Sequence, residues 1–228
     1  MPKRFDNCRV LFWSDPHFPY HHKDTLSFLS KVKDAYNPDR VICGGDLGDL
    51  YSVSNYPTDI NHPDSFHTEV KGLRKNVKEV AELFPEQIVC SSNHDDRPYR
   101  KSTTAGIPRE FLIPYNQVIS APDTWKWVPY YDLTVDADRS QWRFIHTING
   151  GALVAAKNLG MNVCNGHSHT KFGAQSFSNG KKVLYGVDSG CLISDVGSPF
   201  KYQKGDIGRP IRGCVMILDG VPKLIPMR

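Results

Sequence analysis

The chain has 228 residues, 39% of them hydrophobic and 23% charged, with a formal charge of +4. That composition excludes a disordered or fibrous chain and allows a sizeable core. No apolar run approaches a membrane span, so no membrane association is expected, and the mild positive charge suits a polyanionic partner without requiring one. The opening Met-Pro-Lys-Arg-Phe-Asp has a basic start but no apolar stretch after it, so a signal peptide is not expected and a cytoplasmic location is. Six scattered cysteines without CxxC spacing read as buried, reduced thiols.

Arg9–Trp13 reads as a strand and His22–Tyr36 as a helix, ended by Asn37-Pro38 because the residue before proline avoids the helical region. Val41–Cys43 reads as a second strand, closed by Gly44-Gly45. A polar loop follows from Leu50 to Ser65. Phe66, Val70, Leu73, Val77, Val80 and Phe84 then recur at steps of three and four, the spacing of an amphipathic helix. Gln87–Cys90 is the third strand. Alternation of strand and helix predicts a parallel sheet built from βαβ units.

The second half reads differently. Trp125–Val128, Asp132–Val135, Trp142–His146, Asn162–Cys164, Phe172–Ser178, Lys182–Val187 and Gly213–Ile225 are strand-like, with one short helix over Gly151–Leu159. Asn179-Gly180 and Asp219-Gly220 predict hairpin turns. This half is expected to be mainly antiparallel. With no repeat or linker, residues 1–228 are expected to form one α/β domain with two packed sheets.

Five polar clusters punctuate these strands: Asp15-Pro-His17, Gly45-Asp46-Leu-Gly-Asp49, Asn93-His94-Asp95, His146, and Gly166-His167-Ser-His169. Each alone is ordinary. An Asp-x-His pair arises on many surfaces, a Gly-Asp after a strand is often a simple turn, and a lone histidine is more often core than ligand. Their joint occurrence, each behind a strand, is not ordinary, because open α/β sheets place their sites beyond the carboxyl ends of strands. The set offers enough nitrogen and oxygen donors for two metal ions.

In this order the clusters resemble those of the calcineurin-like metallophosphoesterase superfamily: D-x-H, G-D-x-x-D, G-N-H-[ED], a lone H and G-H-x-H. The opening Ser14-Asp15-Pro16-His17-Phe18-Pro19-Tyr20-His21 is most similar to the compact phosphoesterases of phages, archaea and bacteria. The resemblance implies a four-layer α-β-β-α sandwich of two mixed sheets flanked by helices. It implies Asp15, His17 and His169 on one divalent ion, Asn93, His146 and His167 on the other, and Asp46 bridging both. Mn²⁺ is the expected metal, with Fe or Zn²⁺ as alternatives. Water held between two such ions becomes a nucleophile near neutral pH. His94 is implied as the group that protonates the leaving oxygen, oriented by Asp49. Two positions depart from the pattern: Ser92 replaces the usual glycine, and Thr147 follows His146 where glycine is common.

The serine/threonine phosphatase branch is disfavoured, since Phe18 follows His17 and Leu50-Tyr51 follow Asp49. Arg97 and Arg100, with Lys101, Arg109 and Tyr99, form a basic-aromatic stretch that would bind substrate. Lys201, Lys204, Arg209 and Arg212, with Phe200 and Tyr202, form another. Such stretches suit nucleic-acid backbones and bases, although Asp95, Asp96, Asp195 and Asp206 dilute both. The chain is expected to have no large cap over its site. The leading reading is therefore a hydrolase of phosphate esters, a phosphodiesterase or nuclease acting on DNA or RNA. The alternatives are a phosphomonoesterase acting on a nucleotide, sugar phosphate or phosphoprotein, and a non-catalytic interaction module of the same fold, as a retromer subunit is. The oligomeric state does not follow from the sequence.

Overall fold

The computed structural model describes residues 8–54, 65–135, 140–195 and 208–228, together with the backbone of 3–5. Twelve strands among the described residues form two six-stranded sheets. The first sheet is built on β2 (Val10–Trp13), β3 (Arg40–Cys43), β4 (Ile88–Cys90) and β5 (Lys126–Val128), all parallel. The hairpin of β11 (Gly213–Leu218) and β12 (Val221–Pro226) joins it antiparallel to β2. The second sheet has the order β1-β6-β7-β8-β10-β9. Its strands are β1 (Lys3–Phe5), β6 (Tyr130–Val135), β7 (Gln141–Ile145), β8 (Asn162–Asn165), β9 (Phe172–Ser178) and β10 (Val183–Ser189).

Both sheets are mixed, which corrects the expectation of a mainly antiparallel second half. β7, β8 and β10 run parallel in sequence, and β5 extends the parallel part of the first sheet. The reason is connectivity. The helix α5 (Ala152–Leu159) between β7 and β8 is a crossover, and crossovers join parallel neighbours.

The period of two in β2 sorts its side chains to two cores. Leu11 and Trp13 turn to one side, where Leu29 and Val32 of α1 (Thr25–Tyr36) and Leu73, Val77 and Val80 of α2 (Phe66–Leu83) cover the sheet. Val10 and Phe12 turn to the other, against Leu133, Trp142, Phe144 and Val187 of the second sheet. Phe12 and Phe144 stack across that interior with ring centroids 5.6 Å apart. The outer face of the second sheet is covered by Ala155 and Ala156 of α5 on Val163 and Leu184. The layers are thus helix, sheet, sheet, helix.

The local signals explain the element ends. Asn37 takes a left-handed φ of 42° and its N–H closes α1 on the Lys33 carbonyl. Ser65 caps α2 by accepting from Thr68 N–H. α1 starts at Thr25 rather than His22, because His22 N–H donates to the Leu192 carbonyl and its own carbonyl accepts from Thr25 in a turn. Phe66, on the apolar stripe of α2, is 44% exposed instead of buried. Two further helices, α3 (Arg97–Thr104) and α4 (Tyr115–Val118), lie in the stretch after β4. All six cysteines are buried and free, and burial pushes Cys90 and Cys191 up to about 12, leaving them inert thiols.

Candidate metal centre

The loops after β2, β3, β4, β7 and β8 meet at one edge of the two sheets. Asp15, His17, Asp46 and His169 bring donor atoms within 4.8 Å of one another, and Asp46, His146 and His167 do the same. Asn93 joins the second group, its Oδ1 2.7 Å from His146 Nε2. The two groups share Asp46. The seven residues expected as ligands are therefore brought together, from positions up to 154 apart in sequence.

The ring orientations decide what those atoms can do. His17 Nδ1 lies 2.8 Å from Asp49 Oδ1, so the carboxylate takes its N–H. His146 Nδ1 donates to the Gly44 carbonyl at 2.9 Å. Each ring then turns the lone pair of Nε2 inward. His17 Nε2 faces His169 Nε2 at 3.1 Å, and His146 Nε2 faces His167 Nδ1 at 3.2 Å. Asp46 Oδ2 is buried with no hydrogen-bond partner, although imidazole nitrogens of His146, His17 and His94 stand 3.4, 3.5 and 3.9 Å away. Acceptor facing acceptor is repulsive unless a proton or a cation sits between them. A buried orphan carboxylate oxygen amid inward-turned nitrogens is the donor set that a pair of divalent cations needs.

Among solved structures the chain is similar to the phosphoesterase YfcE from E. coli, with 13% identity and a TM-score of 0.52 over 96% of this chain and 92% of that one. The chain shares the fold of that phosphoesterase. Weaker likenesses extend to Vacuolar Protein Sorting 29 from Cryptosporidium parvum, at 12% identity and a TM-score of 0.49 over 98% of each chain. Nuclease MPE from Pseudomonas putida follows at 14% identity and a TM-score of 0.39, over 96% of this chain and 87% of that one. No protein-family model and no curated protein matches the sequence.

Within this fold the electrostatics follow from crowding. Burial alone would raise the Asp46 carboxyl, but His146, His94 and His17 outweigh it and hold it below the ordinary carboxylate range. Asp49 is lowered in the same way, burial being overcome by hydrogen bonds from His17 and His94. Burial and the neighbouring His94 lower His17. Burial opposes charge on His94 as well, yet Asp46 and Asp49 prevail and its pKa is raised.

His94 stands beside both ligand groups at the solvent edge, 12% exposed. Its backbone N–H donates to Asp46 Oδ1 at 3.1 Å. Asp49 contacts it twice: the carbonyl at 2.8 Å from Nδ1 and Oδ1 at 3.2 Å. The expected carboxylate contact is thus present, and the backbone carbonyl is the nearer acceptor. Asp49 Oδ1 is shared with His17, so one aspartate fixes two rings. Arg97 sits over the outer nitrogen, with Nη2 2.9 Å from His94 Nε2 and Nη1 on the Asp49 carbonyl at 2.6 Å. A carbonyl only accepts and a guanidinium only donates, so Nδ1 carries the proton here and Nε2 is the acceptor.

Arg100 reaches the Asn93 carbonyl and is otherwise exposed. Arg212 pairs with Asp195 at 3.5 Å; Phe200, Lys201, Tyr202 and Lys204 lie outside the described residues, as does His62. His21 packs on Phe18 and contacts the Pro19 carbonyl, apart from both ligand groups. His67 is exposed on α2.

Two departures in the sequence find a physical reason. Ser92 Oγ donates to Asp95 Oδ2 at 2.6 Å and accepts from Asp95 N–H, clasping the turn that presents Asn93 and His94. The left-handed backbone after His146 falls on Gly150 and Gly151, so Thr147 need not supply it. Sequence reasoning gave no role to Asp95 and Gly44. Asp95 is buried and accepts from Gly48 N–H at 3.2 Å, tying the loop of Asp46 to the loop of His94. Only its place in the Asn-His-Asp motif signalled it. Gly44 acts through its carbonyl, which no sequence pattern reveals.

Proposed function

We propose that this protein is a metal-dependent hydrolase of phosphate esters and that its preferred substrates are diesters. The observation that carries the reading is the pair of converging donor groups around the orphaned Asp46 Oδ2. Asp15, His17 and His169 would hold one divalent ion, Asn93, His146 and His167 the other, and Asp46 both, with Mn²⁺ the expected metal. Bound there, such ions supply Lewis acidity and a nucleophilic water at neutral pH.

The residues around the centre have separable tasks. Asp49 and the Gly44 carbonyl fix the rings of His17 and His146, so that their inner nitrogens stay aimed. Asp95 and Ser92 hold two loops in register. His94 delivers a proton from Nε2 to the leaving oxygen. For that, Arg97 must exchange His94 Nε2 for a phosphate oxygen. A guanidinium prefers the anion, since charge-assisted hydrogen bonds are about twice as strong as neutral ones. Substrate binding would thereby free the nitrogen, and the carboxylates of Asp46 and Asp49 favour its protonation. Arg97 is thus a phosphate-binding residue, and Arg100 supports it from the same helix.

The preference for diesters draws support from the apolar cleft beside the residues that hold His94 and from the basic residues of the segment that lines it. The test is hydrolysis of bis-p-nitrophenyl phosphate, p-nitrophenyl phosphate and single- and double-stranded DNA with Mn²⁺, alongside metal analysis. The expected result is about two ions per chain and diesters turned over faster than monoesters. Turnover of monoesters alone would overturn the diester preference. Metal-loaded protein inert toward every ester would overturn the reading as a hydrolase.

A further inference from the structure

A cleft of about 320 Å³ opens beside the centre, floored by Leu50 and walled by Phe66, Tyr99, Phe111, Ile113 and Val118. Its position is set by the residues that grip His94. Leu50 follows Asp49 in the chain, and Tyr99 lies two residues beyond Arg97 on α3. The cleft therefore neighbours the residues that hold the His94 ring.

Its lining is out of place for a surface with no partner. Phe111 is 81% exposed, Ile113 65% and Phe66 44%. Phe66 belongs to the apolar stripe of α2 but turns toward this cleft instead of the core. Clustered exposed aromatics of this kind mark a binding surface. The segment that supplies Pro98, Tyr99 and Phe111 to the lining also carries Arg97, Arg100, Lys101 and Arg109 against Asp96 and Glu110, a cationic balance. Arg109 lies over the Tyr99 ring, its Cζ 4.2 Å from the centroid. Apolar and aromatic walls on a cationic segment are complementary to a flat base carried on an anionic backbone. An acyl chain or apolar peptide has the first property and lacks the second.

We infer that this cleft stacks a base on the leaving side of the scissile phosphate, which makes the substrate a single-stranded nucleic acid. The inference rests on the hydrolase reading for the place of the phosphate, but its test does not depend on turnover. Fluorescence anisotropy would follow binding of a labelled oligothymidylate and of an abasic oligomer of equal length. The protein would be metal-loaded and in the His94→Ala background, which suppresses cleavage. The base-bearing strand should bind about 5- to 150-fold more tightly, the range for one stacking platform. Phe111→Ala and Ile113→Ser, both at exposed positions, should each shrink that ratio toward one while the melting temperature holds. Equal affinity for the two strands would overturn the inference, as would a ratio indifferent to both substitutions. Stronger binding to lipid vesicles or an apolar peptide than to either strand would also overturn it. A ratio that behaves as expected in a protein inert toward every ester would sustain the cleft and sink the hydrolase reading instead.

Discussion

Removal of the His94 ring separates proton delivery from metal binding. His94 also lies within reach of a third cluster with His17 and Asp49, but both nitrogens of its ring are already engaged, by the Asp49 carbonyl and Arg97, and the one bond His94 gives Asp46 comes from its backbone N–H, which alanine keeps. Asp49 loses one partner but retains His17 at 2.8 Å. His94→Ala should therefore leave metal content unchanged. Losing a positioned general acid costs about 10²–10⁴ in rate, roughly 2.7–5.4 kcal/mol at 1.36 kcal/mol per decade. The full loss should appear only where the leaving oxygen needs the proton. Steady-state kinetics on a diester with an alkoxide leaving group should show it. The same measurement with p-nitrophenolate, which departs readily as an anion, should show a loss of about tenfold or less. An equal loss on both would refute proton donation by His94. So would a fall in bound metal measured by plasma mass spectrometry.

Other outcomes follow from single contacts. Asp46→Asn should lower occupancy of both ions together and abolish any rise of melting temperature on adding Mn²⁺, because a neutral amide cannot bridge two cations; thermal shift with and without metal checks this. Gly166→Ala should impair metal binding as well, since the new methyl would overlap Ser14 Oγ and Asp15 Oδ2, and isothermal titration with Mn²⁺ would register it. Trp142→Ala should destabilise by about 3–5 kcal/mol, lowering the melting temperature by roughly 10 °C, because Trp142 is fully buried between the sheets and stacks on Phe144 and Tyr185. Acidification should release metal, because protons compete for imidazole ligands, and the release should fall below the ordinary imidazole range because burial lowers His17 and His167; a metal indicator followed against pH would read the release, and occupancy independent of pH until the protein unfolds would contradict a histidine-rich centre.

The parts of the fold that announce themselves in sequence are those whose periodicity reports burial. Val70, Leu73, Val77 and Val80 mark the inner face of α2 because all four pack on one sheet. α3 gave no such signal. Its sequence RPYRKSTT buries only Ser102, so its place is fixed by polar contacts: Arg97 on His94 and the Asp49 carbonyl, and the Tyr99 hydroxyl on Tyr115 N–H. The strand partners of β5 and of the last hairpin were equally hidden, since pairing across the chain is decided by which edge remains open. The candidate ligands were legible because metal chemistry restricts donor types. The acceptors that aim them were not, since half are backbone carbonyls.

Backbone strain shows why the loops converge as they do. Among the described non-glycine residues, Asp15, His17, Asp46 and His167 have φ of 56°, 52°, 48° and 66°, and Leu50 has 51°. Left-handed backbone costs roughly 1–2 kcal/mol per residue. Asp and His tolerate it better than most, so residue types suited to metals also suit the sharp turns that aim them. Leu50 has no such excuse. Its conformation is held from outside, by Glu69 accepting from Tyr51 and Ser52 N–H at 2.7 and 3.0 Å. Glu69, fully buried and outside the candidate ligand groups, is therefore part of what sets the Asp46–Asp49 loop. It also shapes the floor of the neighbouring cleft, because Leu50 belongs to both. Centre and cleft share one strained turn, so a change in one should be felt in the other.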